Sequence, residues 1–241
     1  MQNVKRMDHR TRLQERIAAL AARRMVENGE PAGPAMRKSA VELLGDGARV
    51  RGALPDEEQV GAAVREHQRC FGGQEHADWL RAQRQLALEW MERLERFEPR
   101  LTGALLDASA TLESPVQLDL YADSAKDVEM ALLERGVDYR VEPPGRRRLH
   151  VQEVIGFVAD DPRPVPAAGP GRLRGTPVLL TIYDPVAARA ASARHRGPDD
   201  PRLHPIERAG RADAAMLRRL LEETGAIARQ RQDAGANTDR G

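Results

Sequence analysis

Residues 101–123 read Leu-Thr-Gly-Ala-Leu-Leu-Asp-Ala-Ser-Ala-Thr-Leu-Glu-Ser-Pro-Val-Gln-Leu-Asp-Leu-Tyr-Ala-Asp, and the hydrophobic pattern of the chain changes here. Before this stretch, apolar residues recur every three or four positions, as they do in amphipathic helices. Within it, residues 116–121 alternate apolar and polar side chains, which is typical of a strand with one buried face. The sequence therefore predicts an α+β protein, with an N-terminal helical region followed by a small mixed β-sheet and flanking helices.

Four helices are predicted before residue 99. The first carries an apolar stripe and ends before Pro31, and the second begins near Pro34. The third begins at the capping pair Asp56 and Gln59. The fourth and longest is predicted over residues 75–97, with both tryptophans as packing residues. The stripes of the first and third helices comprise Leu13, Ile17, Leu20, Ala21 and Met25, and Val60, Ala63, Val64, His67 and Phe71.

The region after residue 100 is predicted to hold the sheet. Ser124 and Asp127 indicate the start of a short helix, which Gly136 closes, and a last amphipathic helix is predicted over residues 213–224. Residues 160–175 are rich in proline and glycine and are predicted to form a surface loop. The predicted strands cover residues 101–106, 116–121, 139–141, 149–158 and 178–183. We expect three regions: helical residues 1–99, α+β residues 100–226, and a disordered tail at 227–241.

Composition limits the classes of partner. Lys plus Arg total 38 against 37 for Asp plus Glu, so the net charge of +1 makes nucleic acid an unlikely partner. Cys70 is the only cysteine, which excludes an intramolecular disulfide and favours a cytoplasmic protein. No stretch approaches 18 apolar residues, so we expect no membrane partner. A GC-rich genome gives the excess of arginine and alanine without any functional cause.

The stretch that begins at residue 101 also has a pattern associated with nucleotide chemistry. Gly103 and Ala104 precede a polar turn, Ser114 precedes the alternating strand, and Gln117 and Asp119 share one face of that strand. This pattern resembles the nucleotidyltransferase superfamily. In that superfamily a Gly-Ser turn approaches the phosphates, and an Asp-x-Asp pair on a strand binds the divalent metal that stabilises phosphate charge.

The resemblance implies a role for each matched residue. Asp119 is the expected metal ligand and catalytic carboxylate, with Mg²⁺ or Mn²⁺ as cofactor. Gly103 and Ala104 are expected to allow close approach of a phosphate, and Ser114 and Gln117 to orient it. A second register, counted strictly from Ser114, places Pro115 and Gln117 at the carboxylate positions and leaves no acid.

The strand that would supply a third acid in the superfamily is 178–183. At the matching positions this chain has Leu179, Leu180 and Thr181, and Asp184 lies just beyond the strand. One carboxylate neutralises and orients metal ions less well than three. The resemblance therefore indicates a degenerate site.

The wider pattern, over residues 11–221, resembles an uncharacterised proteobacterial family that looks nucleotidyltransferase-like and often lacks the acids. That resemblance implies the fold and gives no assigned activity. The first function hypothesis is a degenerate nucleotidyltransferase-like protein that binds a nucleotide or a phosphorylated ligand, and that is a metal-dependent nucleotidyltransferase if it is active. Arg100, Arg140 and the run 146–148 are candidate phosphate ligands, although such a run is also typical of a solvated hairpin edge.

Two other functions remain open. The chain could be a non-enzymatic helical module that binds a protein partner or forms a homodimer, or a weak nucleic-acid binder that uses basic residues 5–16 with Arg23 and Arg24. His67, Cys70 and His76 have a spacing that could seat zinc. A buried histidine and a core thiol are the favoured interpretation, because the set has no clear fourth ligand.

Overall fold

The computed structural model describes residues 2–45, 53–142, 150–160, 175–186 and 197–238. These residues form an α+β fold, as the change of periodicity predicts. Within them, no helix has the length and apolar character needed to span a membrane. The helices are α1 (Gln2–Asn28), α2 (Ala32–Leu44), α3 (Glu57–Phe71), α4 (Gly73–Arg93), α5 (Ala125–Leu133) and α6 (Ala214–Thr238), and the strands are β1 (Arg100–Thr102), β2 (Val116–Tyr121), β3 (Tyr139–Glu142), β4 (Val151–Ala159) and β5 (Thr176–Tyr183).

The five strands form one mixed sheet in the order β1-β2-β5-β4-β3. Strands β2 and β5 are parallel neighbours, and the other pairs are antiparallel. The outer edge of β1 pairs with a single residue, Ala212, just before α6. This pairing matters for the site, because it fixes the residues on both sides of Ala212 next to the sheet.

The two faces of the sheet differ in chemistry. One face is apolar and packs against helices: the ring of Trp90 on α4 lies 4.6 Å from that of Phe157 in an edge-on arrangement. The opposite face carries Gln117, Asp119 and Tyr121, because side chains alternate along β2. The apolar face includes Val116, Leu118, Leu120, Ile155, Phe157, Val178, Leu180 and Ile182, all of them buried.

By its contacts the chain divides into two compact units. The first comprises residues 1–78 and 108–114, and the second comprises 79–107 and 115–241. The expected boundary at residue 99 was placed where helical sequence gives way to sheet-forming sequence. The two units are instead defined by contacts between residues.

In the first unit, α1 packs against α2 and α3. Ile17 lies in a cluster with Ala40 and Ala53, and Ala18 and Ala22 lie in a second cluster with Val60 and Val64. The predicted stripes of α1 and α3 are thus confirmed at their centres.

The end of α3 differs from the prediction. Phe71 is 78% exposed, and Cys70 is exposed, so the expectation of a core thiol was wrong. The buried residue in this turn is Gln68, whose side-chain amide donates to the carbonyl of Ala110 at 2.5 Å. A polar contact to the inserted segment 108–114 therefore replaces the expected apolar one.

Other elements agree in kind and differ in length. The second strand has its predicted limits, and the side chain of Ser124 caps α5 by accepting from the backbone N–H of Lys126. The longest helix is α1, with 27 residues, and not the predicted helix at 75–97, which ends at Arg93. The first strand stops at Thr102 instead of continuing to 106, because Gly103 has φ +71° and starts a turn. The last helix continues to Thr238, into the tail predicted to be disordered.

Candidate functional site

The centre of the candidate site is the polar face of β2. In the parallel register with β5, Asp119 lies opposite Thr181, and Tyr121 lies opposite Tyr183. On the other side, Asp119 lies opposite Arg100 of β1. On the neighbouring strand β5, the residue directly beside Asp119 is therefore a threonine and not an acid.

Asp119 is buried in an ion pair with Arg211. The distance from Arg211 Nη2 to Asp119 Oδ2 is 2.8 Å, and the side chains of Arg211 and Asp119 are 11% and 6% exposed. Arg211 Nη1 also donates to the hydroxyl of Tyr121 at 3.0 Å. Arg211 is the residue before Ala212, so the backbone pairing of Ala212 with Leu101 places its guanidinium on this face of the sheet.

A second cation and a pair of aromatic rings lie near the ion pair. Arg100 lies 3.5 Å from a carboxylate oxygen of Asp213, on the far side of Ala212. The rings of Tyr121 and Tyr183 are 5.9 Å apart, centroid to centroid. Burial raises the pKa of the Tyr121 hydroxyl, and the positive charge of Arg211 opposes that shift. Charge and aromatic surface are thus combined on one partly open face.

The turn that holds Gly103 and Ala104 is closed by its own contacts. The carbonyl of Gly103 accepts from the backbone N–H groups of Leu106 and Asp107 at 3.0 and 3.1 Å. A methyl group built on Gly103 would lie 2.6 Å from Oε1 of Gln117. The glycine therefore allows the close approach of a side chain, that of Gln117. The contact between Gly103 and Gln117, two of the residues predicted to form the site, therefore gives both of them a structural role.

Ser114 belongs to the other unit, in the segment 108–114. Its hydroxyl accepts from the backbone N–H of Thr111 at 2.9 Å, and its own N–H donates to the Thr111 carbonyl at 2.8 Å. These bonds close a local turn. The structure thus brings Gly103, Gln117 and Asp119 into one unit and assigns Ser114 a turn-forming contact elsewhere.

The side chains around Asp119 do not fit a Mg²⁺ or Mn²⁺ site of the kind that the resemblance implies. Its carboxylate already faces a guanidinium, and a second cation on the same carboxylate would be repelled. Asp184 turns back on its own backbone, where Oδ1 accepts from the N–H of Val186 at 2.7 Å. Across the described part of the chain, no three His, Cys, Asp or Glu side chains are grouped to hold a metal ion.

The second unit also has a cleft of about 1190 Å³ where β4 ends and β5 begins. Arg93 and Arg140 line it together with Trp90 and Phe157, so Arg140, a predicted phosphate ligand, does lie in a concave site. Asp138, Glu142 and Asp160 line the same cleft, and their charges offset those of the arginines. The run at 146–148 lies outside the described residues.

The residues predicted to bind nucleic acid or zinc have acidic neighbours. Arg23 pairs with Glu27 at 2.9 Å, and Arg24 pairs with Glu42 at 2.6 Å. Both pairs reduce the positive charge that α1 offers to a phosphate backbone. His67 lies 3.8 Å from a Glu27 oxygen, and Cys70 Sγ lies 3.8 Å from one of Glu66.

Two arginines outside the predicted site make the most deeply buried ion pairs among the described residues. These arginines are Arg211, which pairs with Asp119, and Arg84, which pairs with Glu207. Neither arginine lies in a recognisable sequence motif. In a chain with so many arginines, position along the sequence does not mark them. The pairing of Ala212 with β1, which fixes Arg211, links residues far apart in the chain and has no local signal.

Comparison of the chain with protein-family models, with curated proteins and with solved structures finds no match.

Proposed function

We propose that this chain is a nucleotidyltransferase-like protein that binds a nucleotide or another phosphorylated ligand on the Asp119 face of the sheet, without metal-dependent nucleotidyl transfer. The observation that carries the proposal is the buried ion pair between Asp119 and Arg211. In this proposal, the guanidinium of Arg211 stands in for the metal ion that the superfamily binds at its strand carboxylates.

A guanidinium can take over part of what the metal does for a phosphate. It carries a permanent positive charge and presents five N–H donors in a plane, which matches the geometry of phosphate oxygens. Arg211 uses one Nη donor on Asp119 and another on Tyr121. Its Nε is buried, with no hydrogen-bond partner among the residues that the structure describes. Each Nη carries a second N–H, and these are the donors that the proposal assigns to a ligand oxygen.

Arg100 provides a second positive charge on the same face. Its side chain is 36% exposed and its contact with Asp213 is long, at 3.5 Å. An ion pair with this exposure is weak, so a phosphate can compete with Asp213 for Arg100. The half-buried rings of Tyr121 and Tyr183 offer a surface against which a base or another planar group can pack.

The test is a thermal-shift series with ATP, CTP, GTP and UTP, each with EDTA, Mg²⁺ or Mn²⁺. We expect at least one nucleotide to stabilise the wild type, with equal shifts in EDTA and in metal. The shift should disappear in Arg211→Gln and persist in Arg218→Gln, a matched control in an exposed pair with Glu92. Absence of any shift with all four nucleotides would contradict the proposal.

Turnover is tested separately by pyrophosphate release. We expect none above the protein-free rate, because Asp119 alone cannot hold the metals that neutralise the transferring phosphate. Metal-dependent release that is lost in Asp119→Ala would show instead that the chain is an active nucleotidyltransferase.

The exposed apolar residues give no specific support to the alternative function, that of a protein-interaction module. Phe71, Met130 and Leu133 are each more than half exposed. Single exposed apolar side chains are normal on protein surfaces, so these residues define no particular partner.

A further inference from the structure

One edge of the sheet, formed by β3, has no neighbouring strand among the described residues. The order β1-β2-β5-β4-β3 places β1 and β3 at the two edges. The outer edge of β1 pairs with Ala212, whereas the strand that pairs with β3 is β4, on its inner side. An edge strand presents a row of backbone N–H and C=O groups that can pair with a strand of another chain.

The side chains of β3 are exposed over most of the strand. Arg140, Val141 and Glu142 are all exposed, and the apolar side chain of Val141 is 51% exposed. Neither Arg140 nor Glu142 has an ion-pair partner among the described residues. Arg140 and Glu142 share one face of the strand because they are two positions apart. The edge thus carries a cation, an apolar residue and an anion in succession.

This succession is complementary to itself. When two identical strands pair in antiparallel fashion about a two-fold axis, the contacts are reciprocal, so residue i meets residue j in both directions. An axis at Val141 places Val141 opposite Val141, and it places Arg140 of each copy opposite Glu142 of the other. Moving the axis by half a position in either direction would instead set Val141 opposite a charged residue.

Charged side chains on an edge strand usually prevent pairing between copies, because like charges would meet. In β3 the two signs of charge lie on either side of Val141, so antiparallel pairing brings opposite charges together. Opposite charges directly across from each other stabilise a pair of strands. We propose that two copies of this chain pair through β3, centred on Val141, into a continuous sheet with five strands from each copy.

Sedimentation velocity of the full chain from about 1 to 500 μM tests the dimer, since a small interface gives weak association. We expect the wild type to change from monomer to dimer as its concentration rises. Arg140→Glu and Glu142→Arg should each raise the dissociation constant at least about tenfold, because each converts two attractive cross-strand pairs into two repulsive ones. Glu89→Arg, which reverses an exposed charge on α4, should dimerise like the wild type.

The register also predicts two rescues. The double variant R140E/E142R exchanges the signs and keeps them complementary, so it should dimerise like the wild type. An equimolar mixture of the two single variants should form a heterodimer, because an acidic edge then meets a basic one. Melting curves check that each variant is folded. The proposal is overturned if the wild type stays monomeric at the highest concentration, if the single variants dimerise as well as the wild type, or if either rescue fails.

Discussion

At the scale of single residues, the partner of Asp119 decides how the candidate site is interpreted. An isolated carboxylate on a strand face is compatible with a metal ligand, a surface acid or half of an ion pair. The contact with Arg211 at 2.8 Å, with both side chains largely buried, selects the ion pair. The same contact keeps a positive charge on the face where a phosphate would bind.

Removing one partner of this pair should destabilise the second unit strongly. Asp119→Leu and Arg211→Met each leave the other charge buried and uncompensated, which costs about 3–5 kcal/mol. The double variant should cost less than either single variant, because it leaves no buried charge. Urea unfolding of the four proteins measures these free energies. Additive costs in the double variant would show that the two side chains do not interact.

Gly103 allows a matched test of backbone strain against side-chain contact. Gly103 and Gly136 have φ values of +71° and +67°, but a methyl group on Gly136 would meet nothing within 4 Å. Gly136→Ala should cost about 1–2 kcal/mol for the left-handed backbone alone. Gly103→Ala should cost more, because its methyl group meets Gln117.

The control for Gly103 is the same substitution in a Gln117→Ala background. There, the cost of Gly103→Ala should fall to that of Gly136→Ala, as measured by urea unfolding. Equal costs for Gly103→Ala with and without Gln117 would mean that the amide moves aside freely.

At the scale of elements, the turn after β1 is held by a buried arginine of α4. Arg84 donates to the carbonyls of Leu105 and Leu106 at 2.8 and 3.0 Å and pairs with Glu207 at 2.7 Å. These contacts fix the turn that begins at Gly103. They also account for a charged residue on the apolar side of an otherwise amphipathic helix.

Arg84→Met should therefore destabilise the second unit by about 3–5 kcal/mol, because Glu207 and two carbonyls lose their donor in a buried position. Arg218→Met is the matched control. It breaks a pair with Glu92 in which both side chains are about half exposed, and should cost at most about 1 kcal/mol. Comparable costs for the two variants in urea unfolding would contradict the role given to Arg84.

At the scale of the whole molecule, local periodicity predicted the fold class and the central strands. Val116–Tyr121 alternates regularly, and the capping pair at Asp56 and the cap at Ser124 have local signatures, so these elements were predictable. The ion pair at Asp119 was not, because Arg211 lies 92 residues further along the chain. Its position depends on a backbone pairing that no sequence spacing records.

The residue at which β1 ends and the exposure of Phe71 were also not predictable from local sequence, because both depend on the folded structure. An apolar run favours a strand to residue 106 until Gly103 adopts a positive φ. Helical spacing places Phe71 on the stripe of α3, but the segment 108–114 contacts Gln68 instead. Sequence patterns indicate which faces are apolar, and they do not indicate which neighbour covers each position.

We propose that Arg211 takes the place of a metal ion in binding a phosphorylated ligand. Isothermal titration calorimetry with ATP, in EDTA and again in excess Mg²⁺, tests it most directly. We expect binding of similar affinity under both conditions, and a loss of affinity of at least about tenfold in Arg211→Gln, the size expected for one charged hydrogen bond. Binding that requires Mg²⁺ and survives Arg211→Gln would contradict it.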